Sequence, residues 1–212
     1  MKVFFESSKQ AILVTLTMFA LCGLIYPFAV TGVAQAFFNH QANGSLLEVD
    51  GEVVGSELLG QTFTSPEYFW GRVSSVNYNV YTKEDTMPDQ NGDTAYRGVS
   101  SGTFNYAPSN PELIKRMEAN IESFLNENPG VQREQIPSDL MTASGSGLDP
   151  HISVDAAFIQ MERIVKASGI PADEVEAIIE ANTDSRLFGV FGEDTVNVLG
   201  ANIDIYKKLK EQ

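Results

Sequence analysis

The longest apolar run in the sequence lies near the N-terminus. Residues 11–30, AILVTLTMFALCGLIYPFAV, contain no charged side chain, and the charge-free stretch around them extends from Gln10 to Leu47. About 20 residues of α-helix rise about 30 Å, which matches the hydrocarbon core of a bilayer. We therefore predict one transmembrane helix, with residues 1–38 forming the cytoplasmic N-terminus and anchor and residues 39–212 forming an extracytoplasmic domain.

The charges on either side of this run predict its orientation. Lys2 and Lys9 precede it, whereas the first charges after it are Glu48, Asp50 and Glu52. Positive residues favour the cytoplasmic side, so the long C-terminal part is expected outside the cell membrane. A cleaved signal peptide is the alternative, since the triplet at residues 34–36 is Ala-Gln-Ala. The apolar run is longer than the usual signal core of about 7–15 residues, which favours an uncleaved anchor.

Small residues and a proline interrupt the anchor. Pro27 has no amide hydrogen and its ring crowds the carbonyl of Gly23, so a kink is predicted. Gly32 and Ala36 form a small-x-x-x-small pair that permits close approach of another helix. Gly23, Pro27 and Gly32 are therefore candidate packing positions for partner helices, although membrane helices also tolerate small residues without such a role.

Beyond the anchor, alternating apolar and polar positions predict a β-hairpin over residues 46–54, turning at Asp50-Gly51. The polar stretch 77–102, rich in Gly, Asn and Asp, predicts a long irregular loop. Between them, a dense group of aromatic residues is expected to enter the core or a contact surface: Phe63, Tyr68, Phe69 and Trp70.

Helical periodicity appears in the C-terminal half. We predict a helix from about Asn110 to Asn128, capped by Ser109 or Asn110, and then a turn-rich stretch over 136–153. A second helix is predicted over 154–167 with Ser153 as its cap, and a third over 172–182. The tail 195–208 is predicted to begin as a strand, and Ile203 and Ile205 alternate farther along it. The expected fold is thus a single N-terminal transmembrane helix followed by one α+β extracytoplasmic domain.

The net charge limits the partners of this domain. The chain has 28 acidic and 14 basic residues. Without the three charged residues of the anchor region, 27 acidic and 12 basic residues remain, a net charge of −15. Such a surface repels nucleic acid and anionic headgroups and attracts cations, although solubility alone accounts for it equally well.

Common catalytic signatures are absent from the sequence. The two histidines, His40 and His151, cannot build a histidine-rich metal site, and the single cysteine, Cys22, lies in the apolar run. No HExxH, phosphate-binding GxxxxGK[ST] loop or dinucleotide GxGxxG occurs, and the Gly-Ser-Gly at 145–147 lacks the spacing of a nucleophile elbow.

The most unusual composition occurs over residues 136–153. Small hydroxyl residues, two glycines and Asp-Pro-His stand directly before the predicted cap Ser153. Such a segment can cradle an anion or simply order a turn. Asp149 and His151 can hydrogen-bond each other or the backbone. The absence of a separate base or nucleophile favours the structural interpretation.

Residues 142–153, TASGSGLDPHIS, resemble the signature of KdpC, the small C subunit of the bacterial Kdp potassium-transporting P-type ATPase. Its marker residues here are Ser144, Gly145, Gly147, Asp149 and His151. Further matches follow in the same order along nearly the whole chain: Tyr26-Pro27, Gly55-Ser56, Gly60-Gln61 through Tyr68-Phe69, Gly71-Arg72, Asn110-Pro111 and 196–199. The chain departs from the family pattern at Val73-Ser74-Ser75 and within 101–111.

The resemblance implies a membrane complex with a channel-like potassium subunit, KdpA, an ATP-hydrolysing subunit, KdpB, and a small helix, KdpF. ATP and potassium would be handled by that complex, with no catalytic residue, metal or tightly bound cofactor on this chain itself. The family's small subunit has been proposed to raise the affinity of KdpB for ATP, and Gln160 is the nearest match to a glutamine linked with nucleotide contact.

The predicted orientation opposes direct contact with ATP. It places Gln160 across the bilayer from cytosolic nucleotide, and the acidic domain would repel a polyanion. We therefore favour an assembly and stabilising subunit that caps the outer surface of KdpA and attracts potassium. The alternative is a stand-alone membrane-anchored cell-surface binding or hydrolytic domain, which would not extract together with larger membrane proteins.

Overall fold

The computed structural model describes residues 2–96 and 98–212 and contains one long apolar helix near its N-terminus. The helix comprises α1 (Lys2–Met18), a π-helical segment (Phe19–Ile25) and α2 (Tyr26–Phe37), and a short α3 (Asn39–Ala42) follows. The most apolar 18-residue window within Phe4–Phe37 has a mean hydropathy of 2.1, and none of that window is buried. By length and composition this helix can cross a membrane, as the sequence predicts.

The π-helical segment ends two residues before Pro27. In a regular α-helix, the proline lacks the amide that would bond to the carbonyl of Gly23, and its ring would collide with that carbonyl. A wider turn relieves this collision, which accounts for the change of helical hydrogen bonding at the position where the sequence predicts a kink.

The folded domain is a compact unit over Leu47–Gln212. It begins within a hairpin of β1 (Leu46–Val49) and β2 (Glu52–Ser56). The φ angles are 55° at Asp50 and 83° at Gly51, as a type I′ turn requires. The hairpin prediction is confirmed.

Irregular backbone dominates residues 57–110, as predicted for 77–102. The described part of this segment contains two short 3₁₀ turns, Asn77–Asn79 and Glu84–Thr86. Helix α4 (Pro111–Glu127) then begins where the sequence indicates, because the Asn110 side chain accepts a hydrogen bond from the Glu112 amide.

One prediction for the C-terminal half is wrong. The expected single helix over 154–167 is two helices, α6 (Val154–Phe158) and α7 (Met161–Ser168), because Gln160 tightens the turn between them. The tail begins as a strand, as predicted, and a helix that the sequence does not indicate follows Asn197. Its side chain accepts from the Gly200 amide and caps the helix Val198–Glu211.

The turn-rich stretch 136–153 also contains regular structure. Helix α5 (Ser138–Met141) is one turn long, and β3 (His151–Ser153) joins a three-stranded antiparallel sheet in the order β3-β5-β4. In this sheet β4 is Thr183–Asp184 and β5 is Thr195–Asn197, with Ile152 opposite Val196. Helix α8 (Ala172–Ala181) precedes β4 and agrees with the third predicted helix, and the C-terminal helix Val198–Glu211 is α9.

The core of the domain lies among the sheet and helices α4 to α9. Phe69 from the irregular segment is fully buried in it, and Phe63, Tyr68 and Trp70 pack against it, as predicted. The largest apolar side chains that are fully buried come from the sheet, α7, α8, α9 and the loop before α8: Ile152, Ile164, Ile170, Val175, Ile179, Val196 and Ile205. The downstream part of the chain is therefore a mixed helix and sheet domain, as expected.

Candidate functional site

The signature loop, residues 142–153, makes a tight turn around Ser144. The Ser144 side chain is buried and its hydroxyl accepts a hydrogen bond from the Gly147 amide at 2.8 Å. Gly147 has a φ of 68°, and a Cβ at this residue would lie 2.7 Å from the Gly102 carbonyl oxygen. A side chain is thus excluded at Gly147, whereas a Cβ at Gly145 would meet nothing within 4 Å.

The same loop joins three distant irregular segments. The Ser74 hydroxyl donates to the Gly147 carbonyl at 2.6 Å, and the Gly102 amide donates to the Ser146 carbonyl at 2.7 Å. The Gly60 amide donates to the Leu148 carbonyl at 2.8 Å. Since these segments contain little helix or strand, the loop supplies backbone partners that a sheet would otherwise provide.

A short chain of charged groups extends from the end of the loop. Arg72 and Asp149 form a salt bridge of 2.8 Å, and the other Asp149 oxygen accepts from the His151 amide at 3.0 Å. The His151 ring lies 3.7 Å from Asp149 and 3.6 Å from Asp184, beyond ordinary hydrogen-bond length, so these contacts are mainly interactions of charge. Asp149 and His151 are therefore close together, as the sequence suggests, with Arg72 and Asp184 added.

The pKa values in this cluster move in opposite directions. The His151 imidazole and amide, together with the Arg72 guanidinium, lower the pKa of Asp149 to about 2, against the opposing effect of partial burial. Asp149 and then Asp184 raise the pKa of His151, while burial lowers it. Asp149 is thus ionised at neutral pH and holds the turn through charge-assisted hydrogen bonds.

This arrangement does not form a nucleophile and base pair. Within the described residues, the His151 ring hydrogen-bonds neither a serine nor a threonine, and the Ser144 hydroxyl is engaged with the loop backbone. The described residues also contain no group of three or more His, Cys, Asp or Glu side chains suited to a metal ion. The geometry supports a structural role for the loop.

Gln160 lies in the interior of the domain, with 0% of its surface exposed. Its oxygen accepts hydrogen bonds from the Trp70 amide at 2.8 Å and from Arg163 at 2.7 Å. Its nitrogen donates to the Trp70 carbonyl at 3.1 Å and to the Ala156 carbonyl at 2.9 Å. Both acceptor positions and both donor hydrogens of the carboxamide are therefore occupied.

A second buried carboxamide holds the neighbouring residue in the same way. Asn202 accepts from the Phe69 amide at 2.7 Å and donates to the Phe69 carbonyl at 2.9 Å. Phe69 and Trp70, which are consecutive in an irregular segment, thus each have their backbone amide and carbonyl paired with a side chain. Asn202 of α9 pairs with Phe69, and Gln160 in the turn before α7 pairs with Trp70. We call Gln160, Asn202 and Arg163 the amide clamp.

Arg163 completes the amide clamp as a buried cation. Its guanidinium donates to the Tyr68 carbonyl at 2.9 Å, to Asn128 at 3.1 Å and to the Pro66 carbonyl, and it stacks 4.5 Å from the Trp70 ring. Burial lowers the pKa of Arg163 to about 10, still far above neutral, so the group stays charged. Oxygen atoms and the aromatic face replace the lost water.

The sequence did not indicate the amide clamp, apart from Gln160. Asn202 is a polar residue within the buried stripe of α9, beside Ala201 and Ile205, and that position was the available signal. Arg163 has no clear local signal because its hydrogen-bond partners other than Gln160 lie 35 to 97 residues away.

A cavity of about 410 Å³ lies beside α7. Its charged lining consists of Glu127, Glu162, Arg163 and Lys166. Because Arg163 is already committed to the amide clamp, Lys166 faces two carboxylates. This balance of charge does not suit a polyphosphate.

The N-terminal helix carries the remaining predicted positions. A Cβ at Gly32 would meet nothing within 4 Å, and one at Gly23 would make only ordinary contact with Phe19. The helix surface beside both glycines is therefore open to contact with another helix. Their predicted role in packing against other helices stays a prediction.

Comparison with known proteins covers both parts of the chain. The model of the family described as KdpC, K+-transporting ATPase, c chain, matches residues 8–207. The chain is 56% identical over 204 residues to the potassium-transporting ATPase KdpC subunit of Clostridioides difficile strain 630, covering 96% of this chain and 98% of that protein. It is 51% identical over 209 residues to the subunit of the same name in Clostridium kluyveri, covering 99% and 97%. The corresponding subunit of Caldanaerobacter subterraneus subsp. tengcongensis is 45% identical over 206 residues, covering 97% of each chain.

Proposed function

The chain belongs to the KdpC family of K+-transporting ATPase subunits, and from this membership we propose that it assembles and stabilises an ATP-driven potassium uptake complex. Its partners in this proposal are KdpA, KdpB and the small helix KdpF. The chain itself performs no catalysis, and ATP hydrolysis and potassium passage belong to the other subunits.

The observation that carries the proposal is the unburied apolar helix. Residues Phe4–Phe37 are 34 residues long, whereas about 20 span a bilayer core. Lipid can cover such a surface, and so can helices of other subunits. Gly32 and the π-helical segment before Pro27 favour helix partners, because close backbone approach at a small residue strengthens packing in a membrane.

We propose that the N-terminus lies in the cytoplasm and the folded domain outside the bacterial cell membrane, as the flanking charges predict. This can be tested with single cysteines in a Cys22→Ser chain. Ser109→Cys, in the folded domain, should react with a membrane-impermeant maleimide on intact cells, whereas Ser7→Cys should react only after the cells are opened. The reverse pattern would overturn the topology.

Under this topology, the folded domain and cytosolic ATP lie on opposite sides of the membrane. An effect of this chain on the ATP affinity of KdpB is therefore indirect and passes through the N-terminal helix. The geometry of Gln160 supports the indirect form, because a nucleotide could reach its carboxamide only by replacing hydrogen bonds to Trp70 and Arg163. The alternative is direct contact between Gln160 and a nucleotide. The two are distinguished by measuring whether replacement of Gln160 changes the stability of the folded domain or only the ATP affinity of the complex.

The acidic domain would also raise the local potassium concentration near the entrance of the complex. Salt screens such attraction over about 10 Å at 0.1 M. Glutamine substitution of exposed carboxylates, for example Glu122, Glu176 and Glu180, should therefore weaken uptake at low ionic strength and have little effect at high ionic strength. Equal effects at both ionic strengths would contradict the electrostatic role.

The assembly role is tested by co-purification. A tagged full-length chain, expressed with the other subunits, should extract together with the larger membrane proteins. Gly32→Leu should reduce that yield severalfold, because it fills the surface left open by the glycine. Ala34→Leu is the matched control, since it adds the same side chain about 200° around the helix.

Three outcomes separate the alternatives. Failure of the unmodified chain to co-purify would overturn the assembly role. Equal loss in both leucine variants would indicate a general disturbance of the membrane helix, and unchanged yield in both would remove Gly32 from the interface.

A further inference from the structure

The loop between β4 and β5 exposes a compact group of apolar side chains. The exposed fractions are 62% for Leu187, 85% for Phe188, 72% for Val190 and 65% for Phe191. We call residues 187–191 the apolar tip. Single apolar residues are common on protein surfaces, but four large ones within five positions concentrate apolar surface on one loop.

The apolar tip has a defined backbone. The Leu187 amide donates to the Phe191 carbonyl at 2.8 Å, and the Gly189 amide donates to the Arg186 carbonyl at 2.9 Å. Phe188 has a φ of 55°, a region that bulky residues seldom occupy because of steric conflict with the backbone. The turn thus holds a phenylalanine in a costly conformation that presents its ring to the outside.

The exposed apolar area of the apolar tip is comparable to that of known interaction sites. A phenylalanine buries about 150–250 Å² in a core or interface. At exposures of 85% and 65%, Phe188 and Phe191 alone therefore offer roughly 300 Å². Patches of a few hundred square ångströms on one chain commonly mark interaction sites.

The charges around the apolar tip indicate what kind of surface it meets. Arg186 pairs with Glu193 at 2.5 Å and its amide donates to Asp194, while Asp184 stands at the base with 79% of its side chain exposed. The stem is therefore acidic overall. An acidic stem is repelled by anionic headgroups, and the tip lacks the Trp, Tyr, Lys or Arg residues typical of interfacial anchors.

A second copy of this chain is also disfavoured, because it carries the same strong negative charge. We propose that the apolar tip inserts into an apolar socket with a basic rim on another protein subunit of the potassium-transporting complex. This rests on the proposed function and adds to it a contact site in the folded domain, separate from the membrane helix.

Phe188→Gly is the informative substitution. Glycine accepts the positive φ without strain, so the domain should unfold at the same or a higher denaturant concentration. Loss of the ring should weaken association with the complex by about tenfold or more, as expected for a central aromatic contact. Val99→Gly, which also removes an exposed apolar side chain, is the control and should leave association unchanged.

Association is measured as the protein concentration at which the tagged full-length chain dissociates from the detergent-extracted complex. Equal behaviour of Phe188→Gly and Val99→Gly would overturn the apolar tip as a contact, while co-purification of the unmodified chain would leave the assembly role intact. Failure of the unmodified chain to co-purify would instead overturn the assembly role itself.

A cross-linking experiment identifies the occupant. The photoreactive p-benzoylphenylalanine, placed at residue 188 of the full chain in the complex, should cross-link to another subunit through residues near basic side chains. Cross-linking to lipid, to a second copy of this chain or to nothing would each overturn the proposal.

Discussion

Replacement of Gln160 by alanine should destabilise the folded domain severely. The change removes a carboxamide that is fully buried and leaves the Trp70 amide, the Trp70 carbonyl and one Arg163 nitrogen without their partner. Each buried polar group that loses its partner costs about 1–3 kcal/mol, reduced where water enters the new cavity. We expect a total loss of about 3–5 kcal/mol from the free energy of unfolding.

The single tryptophan of the chain makes this measurable. Trp70 stacks on Arg163 in the amide clamp, so its fluorescence reports on the site as well as on global unfolding. For a loss of about 4 kcal/mol and a denaturant slope of about 2 kcal/mol per molar, the urea midpoint of the full chain in detergent should fall by about 2 M. Gln90→Ala, at an exposed position, should leave the midpoint within experimental error.

Gln160→Glu separates the donors from the acceptors of the carboxamide. A carboxylate still accepts from Trp70 and Arg163 but cannot donate to the Trp70 and Ala156 carbonyls. We therefore expect a smaller loss of about 1–3 kcal/mol. An unchanged urea midpoint for Gln160→Ala would refute the structural role, and a change in ATP affinity of the complex without any loss of stability would favour direct nucleotide contact.

Three further predictions concern the signature loop. Gly147→Ala should lower the free energy of unfolding by about 1–3 kcal/mol because of its positive φ and the nearby Gly102 oxygen, whereas Gly145→Ala should have little effect, as thermal unfolding can test. Since the pKa of Asp149 is lowered, its contribution of about 1–2 kcal/mol is present above pH 4 and lost as the pH falls through about 2, a dependence that Asp149→Asn should abolish in acid unfolding curves. Since the pKa of His151 is raised, its contribution is complete below about pH 6.5 and lost as the pH rises through the folded value. Proton NMR can follow both histidine rings, and a His151 pKa at or below 6.5 would contradict the charge interactions described here.

The features that the sequence predicts correctly are those decided by neighbouring residues. The Asn110 cap, the Ser153 cap and the Asp50-Gly51 turn each depend on contacts within three positions. The family resemblance over residues 142–153 is likewise confirmed by similarity along almost the whole chain. Contacts between near neighbours therefore suffice for these element boundaries.

The features that the sequence misses depend on distant partners. The break before α7 follows from Gln160 reaching the Trp70 backbone, 90 residues earlier in the chain. Helix α9 is not evident in the sequence, where Ile203 and Ile205 alternate as in a strand, but its buried positions recur at helical spacing after the Asn197 cap. β-Branched residues favour strands only weakly, and tertiary burial decides between the two structures.

The polar residues that most resemble a reactive site are used for folding. Ser144, Asp149 and Gln160 direct their hydrogen bonds to backbone groups and to charged neighbours of the same domain. Large apolar side chains, by contrast, are exposed on helix Phe4–Phe37 and on the apolar tip at residues 187–191. Since apolar surface contributes to association and not to bond making, we infer that variants of this chain will alter the assembly of the complex before they alter its chemistry.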